Sequence, residues 1–148
     1  YKHRKEGGYY RQSVLEKYYE KGVLELSESS FSAEDRKKAG ERLAKDFYLG
    51  NYNYLQSISF LKISGSTGDR DSALVYKERY IAAIKSLPKE FWSVVRTVCI
   101  EDKELKADKN IIAQSLLGKQ IVYHKKMLLV LGLERLVKHY LQKNKKSS

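Results

Sequence analysis

Residues 111–142 read IIAQSLLGKQIVYHKKMLLVLGLERLVKHYLQ. Ile111, Ile112, Ala113, Leu116 and Leu117 recur at helical spacing. Gly118-Lys119-Gln120 has the composition of a turn, and a longer apolar-periodic run starts near Val122 and reaches about Gln142. Short helix, glycine turn, longer helix is the order of a helix-turn-helix. In that motif the first helix crosses the DNA backbone and the N-terminal residues of the second enter the major groove. The candidate DNA-binding residues are then Lys119 and Gln120 in the turn, Tyr123, His124, Lys125 and Lys126 at the helix start, and Lys138 further along. Lysine neutralises phosphate or meets guanine, glutamine pairs with adenine, and a helix N-terminus favours phosphate. This assigns Lys119, Lys125, Lys126 and Lys138 to phosphates, and Gln120, Tyr123 and His124 to base edges. Met127, Leu128, Leu131, Leu136 and Val137 are expected to anchor the second helix to the core.

The charge distribution points the same way. The 148 residues carry 29 Lys+Arg and 18 Asp+Glu, for a net charge of +11. Residues 119–148 hold eight Lys/Arg and one Glu, whereas residues 22–118 hold fifteen and fourteen. A basic excess confined to one segment seeks a polyanion, and double-stranded DNA is the expected partner. The plain alternative for Lys143, Lys145 and Lys146 is a solvated tail. A single cysteine, Cys99, excludes an intramolecular disulfide framework and a Cys-rich zinc site, and it fits a reducing, cytoplasmic setting. No apolar run approaches the roughly 18 residues that span a bilayer, so no membrane partner is expected. The only methionine is Met127, so the chain reads as a domain or processed fragment of a longer protein.

Proline is nearly absent and glycine is sparse, which makes the expected fold class all-α: a multi-helix domain with a C-terminal helix-turn-helix and an irregular central loop. Residues 1–31 read as a flexible or short-helix segment, with residues 1–8 frayed and a helix from Ser13 to Lys21 stopped by Gly22. Residues 32–142 form the helical domain, with the helix-turn-helix at about 108–142, and residues 143–148 form a basic tail. Ser32-Ala33-Glu34-Asp35 has the form of a capping box, opening a helix to Leu49 that buries Ala39, Leu43 and Phe47. Residues 50–70 break the helical pattern, and the Tyr52/Tyr54 cluster there either stacks on bases or packs on the body. A helix over 71–86 is expected to turn Leu74, Tyr80, Ile81, Ile84 and Leu87 inward. Pro88 then opens a helix to about Ile100, apolar around most of its girth and so the expected central helix.

No catalytic constellation emerges, and neither an enzyme activity nor a cofactor is expected. Gly65-Ser66-Thr67-Gly68 lacks the lysine and the strand–helix setting of a phosphate loop. Asp69 and Asp71 with Glu78 have the residue types of a nuclease metal site, but the two aspartates sit where a helix dipole favours carboxylates. His124 and His139 lack ligand spacing, so no metal is proposed.

Two resemblances bear on function. Leu87-Pro88-Lys89-Glu90, followed by a linker and the Leu128–Leu136 helix, resembles region 4 of bacterial sigma factors. More of the chain resembles a family of largely uncharacterised alphaproteobacterial proteins. Ala39-Gly40-Glu41-Arg42-Leu43-Ala44-Lys45-Asp46-Phe47 is similar to its AGERLRxDF stretch. Pro88-Lys89-Glu90-Phe91 through Val98-Cys99 and Lys103-Glu104-Leu105 is similar to a second block, and Leu128 through Tyr140 to its VLRLALDRLARHY ending. The family includes domains similar to those in regulators of phage-like gene transfer agents. The resemblance implies transcriptional control through DNA binding, contact with RNA polymerase, or both. The alternative is a protein-interaction module that docks on RNA polymerase or another partner without sequence-specific DNA binding. One departure matters: the family's Gly-Trp-Pro turn is replaced here by Gly118-Lys119-Gln120-Ile121-Val122-Tyr123-His124.

Overall fold

The computed structural model describes residues 2–3, 9–10, 12–53 and 68–147, with side chains over 12–51 and 73–142. The fold is all-α. Among the described residues five helices follow in order: α1 (Val14–Glu20), α2 (Ala33–Tyr48), α3 (Gly68–Lys85), α4 (Lys89–Val95) and α5 (Leu116–Ser147). Single π-helical turns extend α2 over Leu49–Asn53 and α4 over Arg96–Ile100. Ahead of them Lys2–His3 pairs antiparallel with Tyr9–Tyr10, over residues read partly as frayed. Most of the irregular central stretch, residues 54–67 with Tyr54 and the glycine-serine run, lies outside the described residues, as does the side chain of Tyr52.

The helix starts follow from their capping chemistry. Ser32 Oγ accepts the Asp35 N–H at 3.1 Å, and Asp35 returns the bond to the Ser32 N–H at 3.0 Å. This reciprocal box satisfies two donors that α2 would otherwise leave open, worth about 1 kcal/mol. Ser13 caps α1 through the Glu16 N–H at 3.1 Å. Gly22 stops that chain segment in the left-handed region, with φ +80°. α1 is not a separate N-terminal piece. Val14, Leu15 and Tyr18 are buried with Leu24 in the same core as α2.

α5 packs against both α2 and α4. Leu129, Leu133, Leu136 and Tyr140 repeat every three to four residues and are buried in one core with Val95, Val98 and Leu43. The expected central helix over 89–100 contributes Val94, Val95, Val98, Cys99 and Ile100 to the core and packs against α5, α2 and α1. On α3 Ala73 and Ala83 are buried, as is Leu87 just beyond it, whereas Ile81 is 40% exposed, against expectation. Small alanines let α3 approach closely, and the ring series Phe47–Tyr80–Trp92 closes the gap with centroids 5.0 and 6.1 Å apart.

The helix-turn-helix is not formed. Residues 111–115 make successive tight turns: the Ile111 N–H bonds Asp108 O at 2.9 Å, and the Ser115 N–H bonds Ile112 O at 3.1 Å. Gly118, Lys119 and Gln120 lie inside α5. Two physical reasons account for this. A helix of five to seven residues cannot offset its nucleation cost without packing, and Ile112 is 72% exposed, so nothing buries that face. Ser115 instead caps α5: its Oγ accepts the Gly118 N–H at 3.0 Å and donates to Ile112 O at 2.6 Å. Gly118 is required by close approach. A Cβ there would lie 2.2 Å from the Ile112 carbonyl oxygen. At the other end the segment read as a tail continues α5 to Ser147.

One polar cluster ties these elements together. The Arg36 guanidinium is 1% exposed and donates to Leu24 O (2.7 Å), Phe31 O (3.1 Å) and the Glu134 carboxylate (2.9 Å). Ser29 donates to the other Glu134 oxygen at 2.6 Å. Removing one member of a buried pair leaves an uncompensated charge, which costs about 3–5 kcal/mol. Glu134→Gln is therefore expected to lower unfolding stability by about 3 kcal/mol in urea titrations followed by circular dichroism. A loss below about 1 kcal/mol would show that the pair is not structural.

Candidate functional site

The seven sequence-derived candidates all lie on α5, but they do not form one face. Lys119, Gln120, Tyr123, His124 and Lys138 are exposed. Gln120 and Lys138 share an azimuth, being 18 residues and five turns apart, which separates them by about 27 Å along the axis. Lys125 and Lys126 turn toward the body. Lys125 Nζ donates to Lys106 O at 2.7 Å and lies 3.5 Å from Asp108. Lys126 Nζ sits 5.4 Å from the centre of the Tyr18 ring, a cation–π contact. Two of the four lysines assigned to phosphates thus hold the helix against the protein.

The outer side of α5 carries four exposed large apolar residues, of which the sequence reading sent Met127 and Leu131 inward and Tyr123 to base edges. Leu116 is 74% exposed, Tyr123 68%, Met127 36% and Leu131 37%. With Gln120 they fall at intervals of four, three, four and four, so they form one straight line along the helix. The line extends about 22 Å. It ends at Glu134, whose carboxylate is turned to Arg36. Of the five expected anchors, Leu136 and Val137 are buried, Leu128 is half-buried, and Met127 and Leu131 face outward. The spacing was visible in the sequence. Two apolar stripes on one helix look alike there, and only the packing shows which one has a partner.

Cations border this apolar line. Lys119, near the start of the line, and Lys138, beyond its end, are exposed with no carboxylate partner among the described residues. Arg135 lies on the same outer arc with its guanidinium 5.4 Å from the Phe91 ring centre. Glu134 is the only acidic residue from 116 to 148. The face is therefore apolar along its middle and positive at its edges.

The rest of the surface is less informative. A hollow beside α1 is lined by Lys17, Lys103 and Lys106 against Asp102 and Glu104. These charges answer each other. Lys17 meets Glu104 at 2.6 Å, and the mutual bond pulls the carboxyl of Glu104 below its usual range while raising the ammonium of Lys17. Asp102 accepts the Val14 N–H at 2.8 Å and so caps α1 from a distant part of the chain. Asp69 and Asp71 lie in the first turn of α3, as their reading as dipole partners requires, but their side chains are outside the described residues. Among the described residues no helix is long and apolar enough to cross a membrane. Comparison with protein-family models, curated proteins and solved structures returned no match.

Cys99 sits between α2 and α5, where burial pushes its thiol up to about 12, with Glu41 adding to the effect. A thiol in that range forms almost no thiolate at neutral pH, so it packs and does not react. In the folded protein Cys99 should resist a disulfide reagent such as dithionitrobenzoate at pH 8, and label at the normal thiol rate once unfolded in guanidinium. Prompt labelling of the native chain would contradict this placement.

Proposed function

We propose that this chain is an interaction domain that docks a protein partner along the outer face of α5. The observation that carries the reading is the exposed line Leu116–Tyr123–Met127–Leu131, which the described residues leave open at Leu116 and Tyr123 and only partly cover at Met127 and Leu131. An aligned apolar strip on a surface marks a place where another surface closes. The resemblance to regulators of phage-like gene transfer agents makes the transcription apparatus, RNA polymerase included, the first partner to test. A photo-crosslinking residue at position 123 should give a discrete protein adduct in cells. The same residue at Glu28, in an exposed loop, should not. Met127→Glu with Leu131→Glu should abolish the adduct and leave thermal stability within a few degrees of the parent, because both sites are exposed. An adduct that survives this double change would refute the reading.

The basic excess supports a second reading, DNA binding without a helix-turn-helix. Eight Lys/Arg against one Glu over residues 119–148 suit a helix that lies across phosphates. The residues to carry it are Lys119 and Lys138, together with the lysines beyond Gln142. If four to six phosphates are neutralised, log K should fall with log salt at a slope of about −4 to −5 in duplex titrations. A flat response, or no binding at low salt, would remove DNA as a partner.

A further inference from the structure

We infer that the occupant of the α5 outer face is an amphipathic helix with acidic edges, supplied by a partner protein. The inference rests on the docking reading above and names the chemistry of the partner. Three features of the face select it.

Shape comes first. The apolar residues lie in a line about 22 Å long, roughly four helical turns, on a convex helix and not in a cleft. α5 offers no open backbone edge to an extended peptide, because its N–H and C=O groups are used within the helix. A second helix laid alongside presents its own apolar line at the same three-to-four spacing and buries both. Composition comes next. Leucine, tyrosine and methionine occupy the middle of the face, where a phosphate backbone has nothing to bury. Methionine and tyrosine supply large, adaptable contact area at such seams.

Charge then decides between a partner and a second copy. Lys119 and Arg135 border the line on its two sides, Lys138 stands beyond its end, and the one acidic residue of this stretch, Glu134, is held by Arg36 and Ser29. Two copies of this face would bring like charges together on both edges, which opposes self-pairing. Glutamate or aspartate flanking the partner's apolar line would meet lysine and arginine instead. This is the arrangement by which flanking charges set partner choice between helices.

The test uses two synthetic 22-residue helices, held by side-chain lactam staples, with the same leucine line. One carries glutamate at the flanking positions, and the other carries lysine. Each is titrated into the full chain by fluorescence anisotropy, with amide NMR shifts mapped on α5. The glutamate helix should bind, shifting Leu116, Tyr123, Met127 and Leu131, and the lysine helix should bind at least tenfold more weakly. Lys119→Glu with Lys138→Glu should weaken the glutamate helix and strengthen the lysine helix. Equal binding of both helices, no binding of either, or shifts confined to other faces would overturn the inference. So would a duplex DNA that displaces the glutamate helix at stoichiometric concentration, or sedimentation showing that the chain pairs with itself through this face. The crosslink at position 123 separates the two levels of the argument. A protein adduct whose joined segment is neither helical nor acidic removes the acidic helix but leaves docking standing. Absence of any adduct removes docking itself.

Discussion

The structure depends on one buried charge. Arg36 lies on α2 in the same stripe as Gly40 and Leu43, where an apolar side chain is the ordinary occupant. Its guanidinium is taken out of water, and that is sustainable because three acceptors meet it: two carbonyls of the α1–α2 connection and the carboxylate of Glu134. Those carbonyls have no helix of their own to satisfy them, so the arginine resolves two problems of buried polarity together. Planarity matters here. A guanidinium presents its donors in a fixed fork, and lysine in its place would reach only part of the set.

The same pair shapes the opposite side of the molecule. Holding Glu134 inward withdraws the only carboxylate of α5 from its surroundings, so the cations along the outer face are not balanced within the helix. Packing and electrostatics are coupled through one residue. The contact that fastens α5 to the connection before α2 also leaves its outer face positive.

Much of the architecture was legible in the sequence, and what failed did so for identifiable reasons. Ser32 and Asp35, Ser13, and Gly22 each sit where local chemistry alone decides the outcome, and each behaves as read. Gly118 misled because glycine serves two purposes. It ends helices by adopting positive φ, and it admits a close neighbour inside them. Here the neighbour is the Ile112 carbonyl, a contact invisible until the chain folds back. Arg36 could not be recognised as buried, since nothing local announces the three acceptors that come from residues 24, 31 and 134. The candidate site was half legible. Lys119, Gln120, Tyr123 and His124 were found as exposed residues of α5, but Leu116, Met127 and Leu131 were not, because apolar periodicity reports amphipathicity without saying which stripe is covered.

The two lysines that face inward change the meaning of the basic segment. The first three turns of α5 run ahead of the stretch buried by α2 and α4, and an unsupported helix end of that length frays. Lys125 fastens it to Lys106 O, and Lys126 rests on Tyr18, whose hydroxyl oxygen in turn accepts the Leu105 N–H at 2.9 Å. Asp102 and Glu104 secure the same linker to α1 through Val14 and Lys17. Ser115 closes the end. The helix that carries Leu116 to Leu131 is thus braced within the free chain, and on the proposed docking reading less ordering entropy has to be offset on binding. On that reading a lysine that braces the helix contributes to recognition through the rigidity of the apolar face. Its charge need not touch the partner at all.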